Sequence, residues 1–170
     1  MIQDLYLEAA PALWVARADV RTPDTSGRVE ISVLVHNVGP VARQGTLKLR
    51  VREADPKLRG WLSDPRADSV AGAQASAEIS VPVAVAPGAA LVVPARLFIP
   101  SPKLWKPETP RPYVLEAELR SDAGRDLTAY QFGVRTVATT GYRLRLNKNP
   151  VFLAGIARHE EWPDSGRTAT

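Results

Sequence analysis

Apolar and polar residues alternate one for one along five stretches of this chain, and that period of two predicts strands with one buried face. In "RVEISVLV", Val29, Ile31, Val33 and Val35 fall on one side and Arg28, Glu30 and Ser32 on the other. "TLKLRVRE" sets Leu47, Leu49 and Val51 against Lys48, Arg50 and Arg52. "AEISVPVAV" aligns Ala77, Ile79, Val81, Val83 and Val85, and "ALVVPARLFI" aligns Leu91, Val93, Ala95, Leu97 and Ile99. "YVLEAELR" opposes Tyr113, Leu115, Ala117 and Leu119 to Glu116, Glu118 and Arg120. No window of similar length sustains a helical period.

Turn-forming clusters separate these runs: "TPDTSG" at 22–27, "HNVGP" at 36–40, "APGA" at 86–89 and "SDAGR" at 121–125. Glycine and asparagine accept positive φ there, and proline presets the φ that a turn needs. Short alternating strands at this spacing predict an all-β fold, an immunoglobulin-like antiparallel β-sandwich from about Leu13 to Val137. Pro82 and Pro94 lie inside strand patterns, which places them on edge strands or at bulges. Two segments interrupt the pattern. Ala54 to Gly72 is a long polar insertion carrying Trp61, which either pins the loop to the sandwich or offers an exposed ring to a sugar or protein. Ile99 to Tyr113 has five prolines and no alternation, so it should cross the sandwich as a stiff linker anchored by Trp105.

Composition narrows the picture without naming a chemistry. The 170 residues are 45% hydrophobic and 24% charged, an ordinary globular balance. The net charge of +4 is spread among interspersed acids and bases, which predicts no nucleic-acid partner. The basic stripe of Lys48, Arg50 and Arg52 lacks interleaved aromatic residues and should pair with glutamates of neighbouring strands. His36, next to Asn37 in a predicted turn, reads as a surface residue. Without cysteine there is no disulfide framework and no thiolate chemistry, and the chain suits any compartment. No apolar run reaches the ~20 residues of a membrane span, and the start, "MIQDLYLEAAP", lacks the basic-then-apolar order of a secretory signal. "HEEWP" has Pro163 where a zinc-binding H-E-x-x-H needs histidine, so no metal and no cofactor are expected. There is no Gly-x-Ser-x-Gly elbow and no phosphate-binding loop.

The segment "LWKPETPRPY" resembles the Leu-Trp-x-Pro-Glu-x-Pro-x-x-Tyr motif of family 2 glycoside hydrolases, the β-galactosidase and β-glucuronidase group. Leu104, Trp105, Pro107, Glu108, Pro110 and Tyr113 carry it. "YQFGVRTV" is similar to that family's Phe-Gly-Phe-Arg motif, through Phe132, Gly133 and Arg135. "YRLRLNKNPVFLAGIARHEEW" is similar to the hairpin and first strand that open its catalytic barrel, where Leu-Asn-Gly-x-Pro precedes Gly-x-Asn-x-His-Glu. Lys148-Asn149 replaces the hairpin glycine, Ala154 the usual arginine, Ala157 the usual asparagine, and Pro112 the apolar residue before Tyr113. The resemblance implies three parts: residues 1–12 as the last strand of a preceding jelly roll, 13–138 as the sandwich, and 139–170 as the hairpin and first strand of a truncated (β/α) barrel. It implies that "VFLAGIA" is a buried parallel strand, with His159 and Glu160 in a substrate pocket at its end.

Retaining glycoside hydrolysis needs two carboxyl groups ~5–5.5 Å apart. In the family both glutamates come from later barrel strands, so this chain should have no catalytic residue and no activity of its own. The expected role is a non-catalytic scaffold that positions a sugar-binding and a catalytic domain. Its implied partners are carbohydrate through the parent enzyme, the neighbouring domains, and a second copy paired through the tail. The alternative is a freestanding immunoglobulin-like module that binds glycans or proteins through the Trp61 loop.

Overall fold

The computed structural model describes residues 9–54 and 72–155. Ten strands run through them: β1 (Leu13–Arg21), β2 (Arg28–Asn37), β3 (Arg43–Glu53), β4 (Ile79–Val85), β5 (Ala90–Phe98), β6 (Pro112–Ser121), β7 (Gly124–Gly133), β8 (Val137–Thr140), β9 (Arg143–Leu146) and β10 (Asn149–Pro150). There is no helix among the described residues. Two antiparallel sheets, ordered β1-β2-β5 and β4-β3-β6-β7, form the sandwich, and β10-β9-β8 form a separate small meander.

The alternating positions become the core. Val33, Val35, Leu47, Leu49, Leu115 and Leu119 have no exposed surface, and all six belong to one apolar cluster between the sheets. Each such side chain stabilises the fold by about 1.5–3 kcal/mol relative to leaving it in water. Both strand prolines are on edges as expected: Pro82 in β4 faces Thr46, and Pro94 in β5 faces Ser32. An edge strand has one side without ladder partners, so a missing N–H is tolerated there.

The turns also follow the sequence. β6 and β7 join through Asp122-Ala123, with Ser121 opposite Gly124. Gly27 has φ +99°, and a Cβ on it would lie 2.0 Å from the Ile99 carbonyl oxygen. Only glycine lets that carbonyl approach, while the Gly27 carbonyl accepts the Ile99 N–H at 2.9 Å. The insertion begins and ends side by side, because Glu53 N–H donates to the Ala73 carbonyl at 2.8 Å and Arg52 bridges Gln74.

Five expectations need correction. Ala77 is exposed and outside β4, which starts at Ile79. His36 is in strand β2, half-buried with its ring centroid 6.5 Å from that of Trp14, and not in a turn. Val137 and Ala138 belong to the meander through pairing with Leu146 and Arg145, not to the sandwich. The left-handed residues of the β9–β10 turn are Asn147 (φ 50°) and Lys148 (φ 71°), while Asn149 is already in β10. Val151–Gly155 shows no strand, with Phe152 90% and Leu153 72% exposed. A buried parallel strand is held by ladders on both edges, and among the described residues no parallel neighbour flanks this one.

Candidate functional site

The linker expected to cross the sandwich does so, from the edge of one sheet at β5 to the interior of the other at β6. Three anchors hold it. The Tyr113 hydroxyl, at the start of β6, accepts the Lys103 backbone N–H at 2.8 Å. This is the geometry of a tyrosine corner, in which a buried ring ties the strand to backbone upstream of it. The Tyr113 ring packs at 5.9 Å from Phe132, and Leu104 packs against the same core. Lys103 also pairs with Glu53 at 2.7 Å, fixing the linker to the end of β3.

Trp105 is the third anchor and the centre of a junction. Its N–H donates to the Val134 carbonyl at 3.0 Å, and the Arg135 guanidinium sits 4.7 Å above its ring. A cation over an indole face is worth about 0.5–2 kcal/mol, depending on how far water is excluded. Gly133 makes this contact geometrically available, because a Cβ there would come within 2.8 Å of the Trp105 Cβ. Of the other motif residues, Pro107, Glu108 and Pro110 are exposed.

The residue that sequence reasoning passed over is Asn147. Its Oδ1 accepts the Thr136 N–H and its Nδ2 donates to the Trp105 carbonyl, both at 3.0 Å, while its own N–H donates to the Thr136 carbonyl at 2.9 Å. One side chain therefore joins the linker, the segment after β7 and the β9–β10 turn. The sequence entered it only through the likeness of Leu146–Pro150 to Leu-Asn-Gly-x-Pro, although a short side chain with both donor and acceptor suits a clamp.

The charged side chains of the outer sheet face neutralise one another as expected. Lys48 and Arg50 reach Glu78 at 3.1 and 3.6 Å, and Arg50 and Arg52 share Glu116. Arg120 and Arg125 both contact Glu118, at 2.7 and 2.6 Å. Burial raises the Glu118 pKa, but the hydrogen bonds from Arg125 and Arg120 outweigh it, so the carboxyl lies below its ordinary value. Glu116 and Glu118 are thus both committed to arginines, and for Glu118 that favours the ionised form and leaves it unsuited to act as a general acid. His159, Glu160 and Trp61, the predicted substrate and contact residues, lie outside the described residues, as do residues 1–8 of the expected jelly-roll strand.

This sandwich with its Trp105 junction matches a known family: the glycosyl hydrolases family 2 model aligns with residues 13–135. The chain belongs to that family. The match covers the whole sandwich and ends on Arg135, the residue that caps Trp105. Among curated relatives, a β-galactosidase of Vibrio vulnificus is 37% identical over 76 residues, which are 44% of this chain and 7% of that enzyme. A β-galactosidase large subunit of Latilactobacillus sakei is 35% identical over 68 residues, 39% of this chain and 11% of that subunit. Among solved structures, a β-glucuronidase of Bacteroides uniformis superposes with a TM-score of 0.73 at 21% identity, covering 94% of this chain and 19% of that one. A family 2 β-galacturonidase of Eisenbergiella tayi gives 0.66 at 17% identity, covering 94% of this chain and 25% of the other. The chain is therefore a family 2 domain that spans a small part of the length of the enzymes it matches.

Proposed function

We propose that this chain is the immunoglobulin-like spacer of a family 2 glycoside hydrolase, non-catalytic by itself, which sets a catalytic barrel against a sugar-binding domain. The parent enzyme hydrolyses O-glycosidic bonds with two carboxyl groups supplied from outside this chain. The observation that carries the reading is the junction at Trp105, inside a sandwich that matches the family from strand β1 to Arg135. A scaffold needs rigid exits more than reactive groups. Here the chain leaves the sandwich through a cation-capped tryptophan and three hydrogen bonds on one asparagine. The carboxylates of the outer face are engaged by arginines. On this reading His159 and Glu160 line the parent's substrate pocket, and the partners are carbohydrate and the adjoining domains of the same parent.

The test is an assay of the 170-residue protein and of the full-length parent on nitrophenyl β-galactoside and nitrophenyl β-glucuronide. The parent should turn over at least one of them, and the chain alone neither. Hydrolysis by the 170-residue protein would sink the spacer reading, and a parent inactive on every glycoside tried would sink the assignment of its reaction.

A further inference from the structure

The meander is tied to the sandwich at few points: its strands pack mainly on one another, so what aims it is the junction beneath it. Three segments distant in sequence meet there, represented by Trp105, Thr136 and Asn147. Backbone bonds alone join them in pairs, Trp105 to Val134 and Asn147 to Thr136. The Asn147 side chain, from a third segment, bonds both of the others at once, accepting the Thr136 N–H and donating to the Trp105 carbonyl. The demand on that residue is narrow. It must sit at φ 50°, where asparagine is among the few non-glycine residues tolerated. It must also offer an acceptor and a donor on two separate atoms of a short side chain, which the single oxygen of serine, the ionised carboxylate of aspartate and the bare glycine do not supply.

We propose that Asn147 is a positioning residue that fixes the direction in which the meander leaves the sandwich. It thereby fixes the course of the chain as far as Gly155, the approach to the substrate pocket of the parent. The pocket half of this statement rests on the function proposed above; the clamp itself does not.

The test replaces Asn147 with Ala and, separately, with Asp in the full 170-residue chain and follows backbone hydrogen exchange, corrected for intrinsic rates. The aspartate is informative because its carboxylate still accepts the Thr136 N–H but opposes the Trp105 carbonyl, whereas its protonated form donates to that carbonyl as the amide did. The charged groups around the junction are Arg135 on Trp105, Arg145 on the Lys148 carbonyl, and Lys148 itself. None of these is a carboxyl or an imidazole, so the pH dependence sought is that of the new carboxyl. Asn147→Ala should exchange about tenfold faster at Thr136 and Asn147 at any pH, the factor for one hydrogen bond of ordinary strength. Asn147→Asp should do so at pH 7 and recover toward the wild-type rate near pH 4.5, with β3 and β6 unchanged throughout. Wild-type rates in both variants, or an aspartate variant that tracks the alanine at both pH values, would overturn the clamp.

In the full-length parent, Asn147→Asp should raise KM several-fold at pH 7 more than it lowers kcat, and lowering the pH should reverse the rise. A loosened junction with unaltered kinetics would overturn the positioning of the pocket while leaving the clamp. An inactive wild-type parent would count against the function and leave the exchange result standing.

Discussion

Single residues in this domain carry their effects through backbone they hold in place. Asp24, in the turn between β1 and β2, accepts the Ser26 N–H at 2.8 Å and pairs with Arg28. Hydrogen bonds from Ser26 and then Arg28 lower its pKa to about 2. A carbon-detected NMR titration should find that value, and Ser26→Ala, which keeps the backbone donor but loses the hydroxyl, should move it part of the way back. A normal aspartate titration in the wild type would mean the turn is not formed in solution. Lys148 carries a local cost of the opposite kind. It occupies φ 71° in the β9–β10 turn, where the resembling family motif has glycine. Two adjacent positive φ values are what a two-residue hairpin of the favoured hand requires, and a Cβ is strained there. Lys148→Gly should therefore stabilise the meander by about 1 kcal/mol, reduced somewhat by the extra freedom of glycine in the unfolded chain. Slower exchange of the β9 amides, relative to unchanged β3 amides, checks this.

Strands were legible where packing is regular and obscure where a polar group or a bulge enters. The five apolar alternations all became strands, because each keeps its period over a face covered by the opposite sheet. β1 carries no clean period of two: its register on β2 shifts between Val15 and Arg17, so Leu13 and Val15 are out of phase with Ala18. β7 hides for another reason, since its buried positions include Asp126 and Thr128, which a hydrophobic pattern cannot mark. The candidate site divides the same way. Trp105, Tyr113 and Arg135 were visible as a motif, and the structure gives each a contact that explains it. Asn147 lay in the hairpin motif, but its contacts were not legible there, because a hydrogen bond to backbone far along the chain leaves no periodicity to read. At the same scale the β6–β7 charge ladder makes a pH prediction. Glu118 titrates below its ordinary 4.5 in the folded chain. Its contribution is therefore full above about pH 4.5 and disappears as pH falls through the folded value. Urea midpoints of wild type and Glu118→Gln should differ at pH 7 and draw together as the pH is lowered through the folded value, whereas a constant difference would show that the arginines do not shift this carboxyl.

At the scale of the whole molecule, the spacer proposed above would have to transmit position between its two ends, which requires its sheets to move as one body. Side-chain hydrogen bonds supplement the apolar core in doing this. Asn37 is fully buried at the end of β2; its amide donates to the Val41, Val85 and Ala86 carbonyls at 2.8–3.2 Å and accepts the Gly39 N–H at 3.0 Å. That ties the β1-β2-β5 sheet to the end of β4 in the other. On the opposite flank, Asp126 of β7 is 4% exposed and accepts the Val15 N–H of β1 at 2.8 Å, at the bulge where β1 departs from its regular register. By accepting that backbone N–H, the Asp126 side chain closes the β1–β7 seam. Asp126→Ala leaves that N–H unpaired inside the seam and should cost about 2 kcal/mol, within the range for an orphaned buried donor. Asp126→Asn keeps an acceptor and should cost less than half as much. Urea unfolding gives the two losses, and hydrogen exchange gives their reach. If the sheets form one body, Asp126→Ala lowers protection in β2 and β6 alike, because both now open by the same global route. Protection lost in β1 alone, with β6 untouched, would mean the seam is a local latch and that rigidity between the two ends comes from the apolar core.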